Sequence, residues 1–538
     1  MLRRTLILAA IAGLTVAPAA QARVERTGRY LVSFDEKRTA SSGPRLRSVL
    51  AEAGARRAGA GVPELGVATV KGSPAAIAEL RRDPAVKSVS VEYRREFFRT
   101  PNDPSFRTQE PDAPGGTPLQ WWWARQNFPS AWDMTTGGGA LVGVLDSGID
   151  GGHPELGGKI ASSAELGTNN GSRTDQDGHG THVSGLACAG TDDGRGVAGA
   201  GFGCRIVMVK MPLLRDEDIA DGIRIATDRG AQAINMSFGG GPGTAVLSLA
   251  IDYALSKGVV PVAAASNDNI SEQAAPASEL QPNDAQDINA GRGLVVTGAD
   301  FSDRNAATGF GPGISVAAYG FYDGIAPYEG PLGLVSTYPG NSVPSDGILG
   351  CNCRTSIGGD NRYARLEGTS MAAPQVAALA AMIGQLNPSL SAREKMRVIK
   401  ATARGGGRHE AALGYGIINA GRAVDAARRI DHRAPESRAR ARKRVRLRGK
   451  RRLRVRIRWR GKDLSGRAGL IASGVRSYDL YLKSGRGRTR RIRRSTRRHT
   501  TVVRLRRGTY RLYTLARDAA GNVERRPRKA DVRVVVRR

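Results

Sequence analysis

The sequence predicts an α/β protein built on a parallel sheet, preceded by a small α+β domain and followed by an all-β sandwich. Three observations carry this expectation. Between Ala140 and Val316, apolar runs of strand length alternate with helical segments. Upstream, residues 28–93 follow the order strand, helix, strand, helix, strand. Downstream of Ala427 the composition changes, and short stretches alternate arginine with apolar residues between turn signals. Continuous apolar strands alternating with helices imply a parallel sheet covered on both faces; strict alternation implies strands with one wet face.

At 538 residues the chain exceeds one ordinary core. The expected divisions are 1–22, 23–99, 100–428 and 429–538. The first is a leader: Arg3 and Arg4 precede the apolar run Leu6–Val16, and Ala20-Gln21-Ala22 offers a small-x-small cleavage site. This reads as a secretory signal, too short to span a membrane. The paired arginines leave twin-arginine export open beside the general route. No later segment reads as a transmembrane span, so a secreted protein, free or associated with the cell surface, is expected.

In the second division, Arg29–Phe34 alternates, Leu46–Ala58 is helix-like, and Gly66–Val70 is a second strand. Pro74–Arg82 forms a short helix with proline at its start, and Val86–Tyr93 closes with period-two alternation. In the third, the strand runs are Leu141–Leu145, Arg205–Lys210, Ala233–Ser237, Val259–Ala264 and Leu294–Gly298. The helices include Asp216–Arg229 and Thr244–Lys257. Met371–Ile383 is apolar nearly all round, hence a buried helix.

Four cysteines, Cys188, Cys204, Cys351 and Cys353, suit an oxidising destination. They allow three pairings; Cys188 with Cys204, which would staple the loop just after the helix that follows His179, is favoured, and it leaves Cys351 and Cys353 facing each other across one residue, a strained geometry. The net charge of +33 is unevenly spread: from Asp431 onward 39 Lys and Arg face 7 Asp and Glu, about +32 of the total.

Three phrases carry chemistry: Leu-Asp146-Ser-Gly, Asp-Gly-His179-Gly-Thr-His and Gly-Thr-Ser370-Met-Ala-Ala-Pro. A serine hydroxyl is a poor nucleophile at neutral pH. It needs an imidazole to take its proton and a carboxylate to orient that imidazole. Each residue alone also fits a strand cap, a loop histidine or a helix N-cap. Together, in glycine-flanked contexts, they supply acid, base and hydroxyl. Asp146 and Asn267 both fall at carboxyl ends of strands, where such folds place active sites. Ser370 falls at a helix N-terminus, where the helix dipole favours negative charge.

The order Asp, His, Ser resembles the subtilisin family, over roughly Thr100 to Ala427. The resemblance implies a subtilisin-like serine endopeptidase needing no catalytic cofactor, with protein or peptide substrates. It makes His179 the base and leaves His182 and His153 structural. It also makes Asn267 the side-chain donor of the oxyanion hole, beside the Ser370 N–H. Ser237, Phe238, Gly239 and Gly240 would form one wall of the substrate pocket, and Ala264 and Ala265 the opposite wall. The acids at 216–218 fall near its rim, where helix capping explains them as well as a taste for basic substrates.

Thr100-Pro-Asn-Asp103 resembles the start of thermitase-like members, which implies a structural Ca²⁺ held by Asp103, Glu155 and Asp193. Glu155 and Asp193 depart from the residue types usual there while keeping oxygen ligands. The second division resembles an inhibitory pro-region, ferredoxin-like in its α+β order and cleaved near 96–100. The last resembles bacterial immunoglobulin-like or fibronectin-type modules, on Ser473–Tyr481 and Ala516–Val523. Its arginines suit an anionic cell-wall or surface polymer, or reflect compositional bias alone. No reader motif for sequence-specific nucleic acid is present. The alternative reading is a surface- or polyanion-binding protein on an inactive subtilase scaffold, against which the intact triad phrases argue.

Overall fold

A computed structural model describes residues 25–538 apart from 35–43, 95–99, 112, 168–171, 282–286, 323–332, 344–345, 347–352, 450, 465–468 and 486. The expected leader, most of the expected 96–100 junction, and Cys351 lie outside the described residues. The chain divides into two compact units, Met1–Phe98 and Arg99–Arg538.

In the first unit, strands β1 (Glu25–Phe34), β2 (Arg56–Arg57), β3 (Val67–Lys71) and β4 (Val86–Arg94) form an antiparallel sheet in the order β2-β3-β1-β4. With helices Pro44–Glu52 and Pro74–Leu80, this is a ferredoxin-like βαββαβ arrangement. Ser73 caps the second helix by accepting the Ala76 N–H, and Pro74 sits where no intrahelical N–H is needed. Val32, Phe34, Leu46, Leu50, Val70 and Leu80 close its core. The first helix is shorter than expected. It ends at Glu52, Gly54 turns the chain at φ +70°, and Arg56 and Arg57 pair with Lys71 and Val70.

The second unit is built on seven parallel strands: β5 (Leu141–Asp146), β6 (Ile160–Glu165), β7 (Arg205–Lys210), β8 (Ala233–Met236), β9 (Val260–Ala264), β10 (Leu294–Ala299) and β11 (Val316–Tyr319). Their order is β11-β10-β9-β8-β5-β7-β6. From β5 the strands run out in both directions, so β5 and β8 border the point where the winding reverses. Such a switch opens a crevice at the carboxyl ends of the strands. Two of the seven escape a search for apolar runs: β6 is a half-buried edge, Ile-Ala-Ser-Ser-Ala-Glu, and β11 has four residues.

Strand alternation sorts the core into two layers. Val142, Val144, Ile206, Val260 and Val296 share a core with the helices His179–Cys188 and Thr369–Leu386. Leu145, Val207, Ile234 and Val295 face the amphipathic helices Asp216–Asp228 and Ala245–Ser256 instead. The Thr369–Leu386 helix, buried along nearly its whole length, is the central pillar. A disulfide joins Cys188 to Cys204 with Cα atoms 5.5 Å apart. Beside the main sheet, β12 (Leu334–Thr337), β13 (Arg354–Ile357) and β14 (Asp360–Leu366) form a small antiparallel sheet in the order β12-β14-β13.

After the helix Ala420–Arg429 the described residues form eight strands in two sheets. One contains β15 (Glu436–Arg440), β17 (Leu453–Lys462) and β20 (Thr500–Leu505), ordered β15-β17-β20. The other contains β16 (Arg444–Arg446), β18 (Val475–Ser484), β19 (Thr489–Thr496), β21 (Gly508–Asp518) and β22 (Val532–Arg537), ordered β16-β22-β21-β18-β19. Val455, Ile457, Trp459, Leu480, Leu512 and Val534 fill the core they share.

Candidate active site

Asp146 ends β5 and is 4 % exposed. His179 begins a helix whose N-cap, Gly178, has φ +102°; a Cβ there would lie 2.5 Å from the Tyr338 ring. The turn therefore delivers the imidazole to the strand end only with glycine at 178. His179 Nδ1 lies 2.8 Å from Asp146 Oδ1. The ring keeps 29 % of its surface open, enough to meet a substrate.

Burial opposes charge on this ring. The Asp146 charge and hydrogen bond, with Asp177 and Asp175 behind them, nevertheless push its pKa up to about 9. His182 is the opposite case. Fully buried, with Nε2 3.1 Å from the Leu334 and Ala364 carbonyls, it is pushed down to about 3 by burial and then by His179. His153, also buried, bonds the Arg362 carbonyl through Nε2 at 2.8 Å and accepts the Glu155 N–H at Nδ1.

A clamp absent from the sequence reading holds the pair. Ser147 Oγ donates to Asp175 Oδ1 (2.9 Å) and accepts the Gly180 N–H (2.9 Å), while its N–H donates to Asp146 Oδ1 (2.8 Å). Asp175, 1 % exposed, also accepts from the Asp177, Gly178 and Thr181 N–H groups and the Thr181 hydroxyl. The signal was present as an acid four residues before His179, next to the motif that was read.

Ser370 is the second residue of the pillar helix, whose N-cap Gly368 has φ +141°. Pro374, one turn on, has no N–H for the Ser370 carbonyl. Ser237 Oγ fills that role at 2.9 Å, and Ser370 Oγ donates to the Ser237 carbonyl at 3.1 Å. Asn267 lies three residues past β9 and is exposed. Its Oδ1 accepts the Thr369 N–H (2.9 Å) and hydroxyl (2.8 Å). With the carbonyl side engaged, the Nδ2 donors are left for a ligand.

A cleft of about 390 Å³ opens along this edge, lined by Asp146, His179, Met211, Leu214, Ser237 and Phe238 among others. Of the expected walls, Ser237 and Phe238 reach it, though Ser237 is chiefly engaged with Ser370. Gly239 and Gly240 are exposed, with the Gly240 N–H bonded to the Ala275 carbonyl at 3.0 Å. Ala264 and Ala265 are buried, and the Ala265 carbonyl accepts the Thr369 hydroxyl at 2.7 Å. The Met211–Leu214 side was not foreseen. Asp218 is bound by Arg215 at 2.7 and 3.2 Å, which favours the capping account of that acidic run.

The proposed calcium ligands lie apart from this cleft. Asp103, fully buried, accepts the Asp192 and Asp193 N–H groups at 2.8 and 3.3 Å. Glu155 accepts the Tyr363 hydroxyl at 3.2 Å through Oε1, while its buried Oε2 has no hydrogen-bond partner. A Cβ at Gly190 would lie 2.8 Å from Glu155 Oε2 and 2.9 Å from Asp193 Oδ2, so both carboxylates converge there. Burial and then Asp193 push Glu155 up to about 8; burial leads Asp103 up to about 6. Three acids around an orphaned buried oxygen fit a hard cation. A tighter trio, Asp431, Asp463 and Asp518, has oxygens within 4.8 Å of one another and receives the Ser473, Gly474 and Asn522 N–H groups.

A His–carboxylate pair at strand ends, a serine at a helix N-terminus and an adjacent amide donor define a serine hydrolase of the parallel-sheet type. The sequence model of the subtilase family matches residues 137–416, and the chain belongs to that family. It is 32% identical over 359 residues to the thermophilic serine proteinase of Bacillus sp. strain AK1, covering 65% of this chain and 75% of that protein. It is 31% identical over 298 residues to thermitase of Thermoactinomyces vulgaris, covering 54% and 88%. A solved protease structure from Pseudoalteromonas arctica superposes with TM-score 0.50 at 30% identity, covering 61% of this chain and all of that one. The protein is a subtilisin-like serine endopeptidase and, as a subtilase, needs no catalytic cofactor.

Proposed function

We propose that the chain is a secreted endopeptidase, made as a self-processing zymogen, that works through an acyl-enzyme on Ser370. The observation that carries this is the 2.8 Å His179–Asp146 contact in a cleft also lined by Ser237, whose carbonyl holds the Ser370 hydroxyl. In this mechanism Ser370 Oγ gives up its bond to the Ser237 carbonyl and passes its proton to His179 Nε2. The freed oxygen attacks the peptide carbonyl carbon, and Asp146 stabilises the imidazolium through Nδ1. The oxyanion accepts hydrogen bonds from Asn267 Nδ2 and the Ser370 N–H. His179 then returns the proton to the leaving amine, and water releases the acyl group by the same relay.

In this reading residues 23–99 inhibit the enzyme until cleavage near 96–100, and Asp103, Glu155 and Asp193 hold a structural Ca²⁺. The leader pattern supports export, and among the described residues no helix is long and apolar enough to cross a membrane. The basic module after residue 428 retains the enzyme on an anionic polymer. The deciding experiment is fluorophosphonate labelling of wild type beside Ser370→Ala. Labelling that vanishes in the variant, together with an uncut precursor, is expected. A wild type that stays unlabelled after removal of residues 23–99 would overturn the activity.

A further inference from the structure

The three-stranded sheet of the sandwich turns a grid of arginines to solvent. On β17, Arg454, Arg456, Arg458 and Arg460 are exposed, while Val455, Ile457 and Trp459 between them are buried. On β15, Arg438 stands opposite Arg460 and Arg440 opposite Arg458. On β20, Arg504 stands opposite Arg454. Directly opposed residues share a face, so seven guanidiniums occupy one side of the sheet. Strand geometry spaces them ~6.8 Å apart along β17 and ~4.8 Å across the sheet.

Like charges placed directly opposite are destabilising. Opposed arginines also occur on the five-stranded sheet, Arg511 with Arg533 and Arg446 with Arg537, whereas arginines of the catalytic region meet acids. Arg215 meets Asp218, Arg354 meets Asp346 and Arg365 meets Glu110. None of the seven forms an ion pair among the described residues. The acid in register on this face, Glu436, stands at its end opposite Lys462.

We infer that this face is a docking surface for a linear phosphodiester polymer. The inference rests on the proposed polymer retention and gives it a place and a chemistry. Arginine's planar fork suits bidentate phosphate contact, and seven of the eight cations on this face are arginine, Lys462 being the eighth. Thr500 and Val502, the other β20 positions paired on this face, offer no aromatic platform for bases, which disfavours single-stranded nucleic acid.

The test uses the full chain carrying Ser370→Ala, to prevent self-digestion, and poly(glycerol phosphate) as probe over a salt series. One variant adds R454Q, R456Q, R458Q and R460Q. A charge-matched control adds R490Q, R494Q, R497Q and R498Q, outside the three-stranded sheet. The face variant should lose more than tenfold in affinity. Its log K against log salt slope should fall by about 2.8, four contacts at about 0.7 each. The control should keep affinity and slope. Relief of repulsion should leave the face variant's Tm equal or higher, which separates lost contacts from lost folding. Equal weakening of both variants would overturn the face while leaving polymer retention standing. Absence of binding to the probe, to single-stranded RNA and to a polyuronate would overturn both. Tighter binding to RNA or polyuronate than to the probe would overturn the phosphodiester assignment.

Discussion

His179 sets the pH behaviour. Only the neutral imidazole accepts a proton from serine, and Asp146, Asp177 and Asp175 hold this ring cationic up to about 9, against an ordinary 6.5. Activity should therefore climb with pH through that range, read as kcat/KM against pH on a peptide substrate. Asp177→Asn removes one of the charges and should move the rise to lower pH; an unmoved profile would exclude its contribution. For stability the sign reverses. The cation is favoured by the fold, so its contribution is complete below about 6.5 and is lost as pH rises through about 9. Ser237 carries a second residue-scale prediction. It fills a carbonyl that Pro374 leaves without a helical donor, so Ser237→Ala should cost about 1–3 kcal/mol in denaturant unfolding. By loosening Ser370 it should also lower kcat by up to about 100-fold with smaller change in KM.

At the scale of elements, two braces flank the site. The Cys188–Cys204 disulfide closes a loop of sequence separation 16 behind the His179 helix. Replacing both with serine should cost about 3 kcal/mol, measured by thermal unfolding with and without reductant. The acids Asp103, Glu155 and Asp193 should make the protein sensitive to chelation. EDTA should lower Tm, Ca²⁺ should restore it, and Glu155→Gln should abolish the difference. Elements also divide what was legible in the sequence from what was not. Strands buried on both faces announce themselves by composition, and five of the seven in the main sheet were readable. β6 was hidden because an edge strand needs few apolar residues. β19 lacks clear alternation because Thr489–Thr496 has one partly buried apolar residue, Ile492, among arginines. Asp146, His179 and Ser370 were legible because each carries a glycine-rich context. Ser147 and Asp175 were not, since their role is hydrogen bonding across a turn, which leaves no periodicity. The pocket walls are legible only through the family resemblance, which does not extend to the Met211–Leu214 side.

For the whole molecule, the uneven charge separates two tasks. The nearly neutral first 430 residues carry the chemistry, and attachment is the proposed task of the basic module. Deleting residues after Ile430 should leave peptide hydrolysis intact while removing salt-sensitive binding to anionic surfaces, measured by co-sedimentation across a salt series. That deletion cuts the His432–Glu394 contact and the hydrogen bond from the Ile471 N–H to the Arg428 carbonyl, so a few degrees of Tm loss should accompany it. The strand order bears on synthesis as well. Asp146 sits on a strand that waits for β8 from later in the chain, and the serine arrives on a pillar helix later still. No fragment shorter than the stretch from Asp146 to Ser370 holds a working relay. A ribosome must have released most of the catalytic unit before any bond can be cut, so the topology itself acts as a clock. Its price is a high contact order, hence slow folding. During that interval the nascent enzyme is itself an open chain, vulnerable to copies that have already finished.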